Sequence, residues 1–331
     1  MEPALAVAVV AALVFAWTNG FHDASNSVAT SLATGALTPR VALAMAALLN
    51  VVGGLFGVSV AETLRRSLLV VPVDNPGLGL VVAALFAAIG WNLFTWRVGL
   101  PSSSSHALFG ALAGAGLAAG VTVDWDALGR YVLLPMLVSP VVGLTLAWLL
   151  VAALSRAVQD AAHASTLRRF RLAQTLSASA MALGHGLQDA QKTAAVVLIA
   201  LVAGGRASAG SDVPMWVRGS VALALGVGTA FGGWRIIRTL GRRIAPIDPM
   251  IGFSAELVAA GSLYAATGVF AAPVSSTHVI VASIMGGGAT NGLKAIRWRH
   301  VRWIVLAFVA TPLVTAAAAF LLYQGVASAS P

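Results

Sequence analysis

Two aspartates stand inside long apolar stretches of this chain, and each follows a glycine at the same spacing. Asp23 ends the sequence GFHD, and Asp189 ends the sequence GLQD. A carboxylate at bilayer depth costs a few kcal/mol, so it normally faces a cavity and has a function. Glycine lets a helix unwind, and the freed carbonyl groups can join a carboxylate around a small cation. The pair therefore predicts cation binding, with a structural ion pair as the alternative.

Two hydroxyl-rich segments also match each other, PSSSSH at 101–106 and PVSSTH at 273–278. Each follows a proline and precedes an apolar run, as a helix start should. A helix N-terminus presents free N–H groups and a partial positive charge, which suit an oxyanion. If only one such segment were present, helix capping would explain it. Two matched segments favour an anion-binding site.

Polar side chains continue the helical stripe that begins at each aspartate. Asn26 follows Asp23 by about one turn, and Gln191 and Lys192 follow Asp189 in the same way. Two interpretations of Lys192 stay open, contact with a bound anion and neutralisation of Asp189.

Glu256 stands alone in a nearly apolar run from 252 to 270. Its position favours a role as a coupling-ion ligand or proton carrier over an interfacial one. Histidines flank all the motifs, and histidine can relay protons because it titrates near neutral pH. Proton relay and structural hydrogen bonding are about equally plausible for His22, His106, His185 and His278.

The elements that must position these residues are transmembrane helices. The 331 residues are 59% hydrophobic and 9% charged, whereas a soluble domain carries about 25% charged residues. A mean hydropathy of +0.89 requires the lipid bilayer as solvent. The net charge of +9 lies mostly in short connectors, so it predicts orientation and not nucleic-acid binding. The absence of cysteine excludes disulfides and thiol chemistry.

Apolar runs near the 20 residues of a membrane span occur throughout the chain. Polar residues interrupt them at 18–23 and 184–189, which predicts a broken helix at each place. The runs cover 3–18, 24–61 (broken at Thr38), 77–96, 104–122, 129–154, 172–205, 215–238, 250–271, 273–290 and 301–324.

The order and spacing of the motifs predict two homologous halves. Asp23 precedes His106 by 83 positions, and Asp189 precedes His278 by 89. We assign residues 1–155 to a first transmembrane repeat, 156–171 to a basic cytoplasmic linker and 172–331 to a second repeat. Basic residues favour the cytoplasmic side, which places the linker, 238–243 and 294–302 inside. The runs 250–271 and 273–290 then form two spans or a re-entrant hairpin, and the repeats are inverted. Arg65 and Arg66 oppose this orientation, and Glu62 beside them suggests a local ion pair.

Two other functional classes are disfavoured. An intramembrane hydrolase needs a nucleophile, a base and an orienting group, and adjacent Ser and His do not supply this set. The chain has neither a G-x-S-x-G nor an H-E-x-x-H motif. An anion channel needs a continuous lined pore, whereas paired buried acids favour stoichiometric ion coupling. The chain is therefore predicted to be a transporter and not an enzyme.

The sequences GFHDASNS and GLQDAQK resemble the duplicated signature of the inorganic phosphate transporter (PiT) family. The sequence GFSAEL at 252–257, followed by PVSSTH, is similar to the second half of that family. The resemblance spans nearly the whole chain. It implies an all-α polytopic membrane protein with two inverted-topology repeats, broken helices and Ser/Thr-tipped hairpins around a central phosphate site.

The resemblance also implies a function, cation-coupled uptake of inorganic phosphate across the plasma (inner) membrane by a homodimer. No cofactor is expected, apart from Na+ as coupling ion. Gln188 replaces a more usual Asn and the first tip is all serine, so H+ and Na+ coupling both stay open, as does sulfate as substrate. Asp23 and Asp189 are the implied cation ligands, with Asn26 and Gln191 beside them and Glu256 as a transport-critical acid. The implied phosphate ligands are Ser103, Ser104, Ser105, Ser275, Ser276 and Thr277. From their positions beside the aspartates, Asn26 and Lys192 are further candidates for contact with phosphate.

Overall fold

The computed structural model describes residues 2–56, 72–160, 162–208 and 210–329, and the regular elements among them are helical. Glu62, Arg65 and Arg66 lie outside the described residues. A π-helical turn leads into the sixth helix and a 3-10 turn precedes the last one. The helices are α1 (Glu2–Ala33), α2 (Pro39–Leu55), α3 (Asn75–Val98), α4 (Ser104–Ala118), α5 (Trp125–Leu128), α6 (Leu134–Ala157), α7 (His163–Ala203), α8 (Met215–Phe231), α9 (Trp234–Arg242), α10 (Pro249–Gly268), α11 (Ser276–Ala289) and α12 (Trp298–Ala329).

Several helices are long and apolar enough to cross a membrane. In the part of the chain that the structure describes, six helices qualify singly: α1, α3, α6, α7, α10 and α12. The pair α8 and α9, bent by 69°, gives a seventh span if it is counted as one. The chain is therefore a multi-pass, all-α membrane protein, as its composition predicts.

Two short helices do not span the bilayer. α4 has 15 residues and α11 has 14, so each is about 22 Å long against a hydrocarbon core of about 30 Å. Each begins at a buried serine and packs against the helix before it, α3 or α10. Each short helix therefore folds back along the helix before it, which favours a re-entrant hairpin over two full spans for 250–290. The topology of this segment stays a prediction.

The predicted helix breaks at 18–23 and 184–189 are wrong, because α1 and α7 run through both motifs without interruption. Their glycines serve close packing. A Cβ on Gly20 would overlap the backbone of Leu225 in α8, and a Cβ on Gly186 would overlap that of Asn50 in α2. The carbonyl groups here remain in helical hydrogen bonds and are not freed for a cation. The sharp break lies instead between α8 and α9, at Gly232.

The helices that carry the two aspartates run antiparallel. Leu5 of α1 lies beside Gly204 of α7 at one end, and Thr34 donates a 2.7 Å hydrogen bond to Gln174 at the other. The packing is reciprocal: α1 contacts α8 and α7 contacts α2, while α4 contacts α12 and α11 contacts α6. This arrangement is typical of an inverted repeat. The boundaries at 155 and 172 stay predictions, and α7 already begins inside the predicted linker.

The basic clusters lie at one end of the protein. The Arg297 N–H donates a 2.8 Å hydrogen bond to the Ile244 carbonyl, which joins the segment after α9 to the segment before α12. Ser155, at the start of the linker region, contacts Met250 at 3.5 Å. The distribution of basic residues predicts that this end is cytoplasmic.

Candidate functional site

The two aspartates meet at the crossing of α1 and α7. Ligand atoms of Asp23, His185 and Asp189 all lie within 4.8 Å of one another. The His185 Nε2 atom is 3.1 Å from Asp189 Oδ2 and 3.9 Å from Asp23 Oδ2. Asn19 Nδ2 donates a 3.1 Å hydrogen bond to Asp189 Oδ2. All four side chains are buried, so a cluster of two carboxylates forms within the protein.

Both hairpin tips reach this cluster. Ser103 and Ser275 cap α4 and α11. The side chain of each serine accepts a 3.2 Å hydrogen bond from the backbone N–H of the residue three positions later. Capping is therefore confirmed for these two serines. Ser104, next to the first cap, lies 3.4 Å from Asp23 Oδ2 and donates to it. The N-termini of the two helices consequently point their free N–H groups into the region of the acids.

Asn26 and Lys192 connect the aspartate helices to the opposite tips. Asn26 Nδ2 lies 3.2 Å from Ser276 Oγ and 3.0 Å from Thr277 Oγ1. Lys192 Nζ donates to Ser105 Oγ at 2.8 Å. The first acid helix therefore holds the second tip, and the second acid helix holds the first tip.

A second matched contact ties each acid helix to the hairpin of its own half. His22 Nε2 lies 3.1 Å from Thr95 Oγ1 in α3, while its Nδ1 lies 2.6 Å from Asp23 Oδ1. Gln188 Nε2, at the position matching His22, donates to Thr267 Oγ1 at 2.8 Å. In the first half, the histidine that contacts the hairpin also contacts a carboxylate. His22 therefore lies between Asp23 and the first hairpin.

Two further histidines stack behind the tips. The rings of His106 and His278 have centroids 4.4 Å apart, and Phe308 stacks on His278 at 3.7 Å. His106 Nδ1 also lies 2.7 Å from Ser103 Oγ, the cap of α4. These contacts give His106 and His278 structural partners, and His22 and His185 contact the acids directly. Proton relay by any of the four stays a prediction.

Glu256 does not join the central cluster. It is fully buried between α1, α7 and α10 and accepts hydrogen bonds from Ser31 at 2.6 Å and Ser177 at 2.7 Å. Thr30 and the Gln174 amide also donate to it. The ion pairs found among the described residues do not include Glu256.

The sequence reading missed the four residues that donate to Glu256. Two of them carried a signal, because Thr30 and Ser31 lie one turn beyond Asn26 and continue the polar residues of α1. Gln174 and Ser177 lie one turn apart on α7, and only the fold brings them to Glu256. Gln191, predicted beside the second acid, is buried on α7.

Buried oxygen atoms near the acids remain available to a ligand. Asn19 Oδ1, Asn26 Oδ1 and Ser27 Oγ have no hydrogen-bond partner among the described residues. An unpaired buried polar atom costs about 1–3 kcal/mol, so such atoms need an explanation. Hard cations take carboxylate and amide oxygens. Asn19, Asp23 and Asn26 lie about one turn apart on one stripe of α1, and their oxygen atoms are of the kind that a small cation takes.

Comparison with known proteins gives close relatives along nearly the whole chain. The chain is 38% identical over 309 residues to a probable low-affinity inorganic phosphate transporter of Bacillus subtilis, covering 93% of this chain and 92% of that one. It is 41% identical over 312 residues to a protein of the same description from Rhizobium meliloti, again covering 93% and 92%. A relative from Mycobacterium tuberculosis is 41% identical over 324 residues, or 96% of this chain and 76% of its own length.

A solved structure described as the sodium-dependent phosphate transporter has the same fold. It superposes with a TM-score of 0.88 at 21% identity, over 99% of this chain and 100% of the other. The relatives and the fold are those of transporters and not of hydrolases. The sequence profile of the phosphate transporter family matches residues 19–319, a range that contains both acids, both hairpin tips and Glu256. This chain belongs to the phosphate transporter family.

Proposed function

We propose that this chain imports inorganic phosphate together with a cation, H+ or Na+, by alternating access across the plasma membrane. One observation carries the proposal: two capped helix N-termini with their hydroxyl groups converge on two buried carboxylates. The N-termini and hydroxyls suit an oxyanion, whereas the carboxylates suit a cation. Membership of the phosphate transporter family identifies the oxyanion as phosphate.

Electrostatics explains why the two substrates travel together. Asp23 and Asp189 carry two negative charges, and the Lys192 ammonium, 2.8 Å from Asp189, balances one of them. With His22 and His185 neutral, the cluster has one net negative charge, so a phosphate anion entering alone is repelled. A proton on His185, whose Nε2 lies 3.1 Å from Asp189 Oδ2 and 3.9 Å from Asp23 Oδ2, would supply the balancing charge in the case of H+ coupling. At 4 Å the repulsion of two unit charges is about 4 kcal/mol at an effective dielectric of 20. A cation at Asp23 removes this barrier, so phosphate binds well only after the cation has bound.

Glu256 is the second cation station in this proposal. It lies towards the cytoplasmic end, beside Gln174 and Ser177 on α7. A buried carboxylate that hydroxyl groups surround can receive a cation after it leaves Asp23. The homodimer stays a prediction, to be measured by the mass of the purified protein in detergent.

The experiment is uptake of labelled phosphate into liposomes that contain the purified protein. Inward Na+ and H+ gradients are imposed separately, and labelled sulfate is run in parallel. We expect phosphate to accumulate above its external concentration under one of the two gradients. Uptake that stops once labelled phosphate has equilibrated across the membrane would indicate a channel. Greater uptake of sulfate than of phosphate would make sulfate the substrate.

Asp23→Asn tests the coupling site in the same liposomes. Asparagine lacks the negative charge that holds the coupling cation in this proposal, so we expect a loss of uptake of at least about a hundredfold, equivalent to about 2.8 kcal/mol. Uptake that remains should no longer respond to the ion gradient. Full cation dependence in Asp23→Asn would remove Asp23 from the coupling mechanism.

A further inference from the structure

The two halves of the site differ in charge at one matched position. Counted from the two aspartates, Asn26 of α1 corresponds to Lys192 of α7. Both side chains reach a hydroxyl at the matching place of the opposite tip, Thr277 for Asn26 and Ser105 for Lys192. The geometry is conserved between the halves, but the second half carries an ammonium where the first carries a neutral amide.

The Lys192 ammonium is fully coordinated by the protein. Its three N–H groups donate to Asp189 Oδ1 at 2.8 Å, Ser105 Oγ at 2.8 Å and the Val274 carbonyl at 2.7 Å. The side chain is only 3% exposed. A carboxylate, a hydroxyl and a backbone carbonyl are the oxygen ligands that a protein offers to a small hard cation. The ammonium therefore sits in the coordination shell of a cation.

We propose that Lys192 is a tethered cation that permanently occupies the ion position at Asp189, so that this half of the site takes no free Na+. The inference rests on the proposed function for its meaning in transport. Only the Asp23 half, where the matched residue is Asn26, then receives a mobile cation. Lys192 also joins the two tips, because its ligands Ser105 and Val274 belong to different hairpins.

This assignment explains how the second acid stays compatible with phosphate. Asp189 keeps its charge balanced in every step, since its partner is covalently attached and cannot leave with the substrate. Lys192 acts on phosphate through its charge, because all three of its N–H groups are used in this conformation. Direct contact between Lys192 and phosphate stays a separate prediction.

The test measures Na+ binding without transport. The purified full chain is unfolded thermally in detergent at one pH, and its midpoint in NaCl is compared with that in choline chloride at equal ionic strength. The variants are Lys192→Asn, which copies position 26, and the double variant Asp189→Asn/Lys192→Asn. Any Na+ that binds at Asp23 contributes equally to all three proteins.

We expect Na+ to raise the midpoint of Lys192→Asn by several degrees more than it raises that of the unmodified chain. The double variant should lose this extra shift, because Asp189 no longer holds a cation. A folded Lys192→Asn variant with no extra shift would overturn the proposal, as would an extra shift that survives in the double variant.

The neutral double variant covers the case in which Lys192→Asn fails to fold. A carboxylate without its ammonium is destabilising, so removing both charges should restore folded protein that either single change loses. If the double variant is no more stable than Asp189→Asn and Lys192→Asn separately, the tethered-cation assignment is refuted. Failure of phosphate uptake by the unmodified chain would overturn the proposed function and leave this result standing.

Discussion

Two matched regions flank the central acids, and their chemistry is opposite. On the side predicted to be cytoplasmic, Glu256 of α10 is surrounded by the donors Thr30, Ser31, Gln174 and Ser177. Matching Thr95 with Thr267 places Ala84 of α3 at the position of Glu256. The residues that match the donors belong, with Ala84, to one apolar core cluster: Val196, Val197, Ala8 and Ala11.

The difference shows that the two matched regions share helix contacts but not side-chain chemistry. The helix contacts of the two regions correspond, since α1 meets α10 on one side and α7 meets α3 on the other. Among the described residues of these two matched regions, a buried carboxylate with four donors lies on one side only. In the proposed mechanism, a cation that leaves Asp23 has a second oxygen-rich position at Glu256 and none at Ala84.

The largest expected effect comes from copying the acid into the apolar region with Ala84→Glu. The new carboxylate would lie where Ala84 is fully buried, with apolar neighbours in place of hydroxyl donors. An unpaired buried charge costs about 3–5 kcal/mol, so we expect most of the folded protein to be lost. The measurement is the yield of monodisperse protein by size-exclusion chromatography in detergent.

Ala84→Leu is the matched control, because leucine adds a similar volume without charge. Overpacking costs about 1–3 kcal/mol, so Ala84→Leu should retain more folded protein than Ala84→Glu. Equal yields would mean that volume, and not charge, separates the two regions.

Gly20→Ala and Gly186→Ala test a place where the two halves should behave alike. A Cβ at either glycine would overlap backbone atoms of the crossing helix, in α8 or α2. Because rigid backbone must move, each change should lower the free energy of unfolding by about 2 kcal/mol. Thermal unfolding in detergent measures this loss for both variants.

Gly90→Ala provides the control for the glycine variants. Gly90 lies inside α3 and a Cβ there meets no atom within 4 Å, so alanine should stabilise by up to about 1 kcal/mol through helix propensity. If Gly20→Ala or Gly186→Ala proved as stable as Gly90→Ala, the two motifs would not need their glycines for packing.

The sequence was sufficient to predict where the central site lies. Asp23 and Asp189 are visible because charge inside an apolar run is costly, and the hairpin tips are visible because proline and serine mark helix starts. The match of Asn26 with Lys192 is also readable once the aspartates are aligned. These signals are local, so they survive without coordinates.

The sequence was insufficient where one residue type has two uses. Glycine beside Asp23 permits either an unwound helix or a close crossing, and only the position of Leu225 in α8 decides for the crossing. Glu256 was visible as an acid, but the approach of Gln174 and Ser177 from α7 depends on how distant helices pack. The sequence alone therefore does not reveal a coordination shell whose ligands come from several helices.

Glu256→Gln is the smallest change that tests the asymmetry. Gln keeps the shape, and its carbonyl oxygen can accept from Ser31 while its amide donates to the Ser177 hydroxyl. Stability should therefore change little, but the negative charge that receives the cation is gone. We expect uptake to fall about tenfold, equivalent to about 1.4 kcal/mol, with a weaker response to the ion gradient. Ser177→Ala, which removes one donor and keeps the charge, should lose less uptake. Unchanged uptake in Glu256→Gln would make the buried acid a structural group and would leave the two regions equivalent in transport.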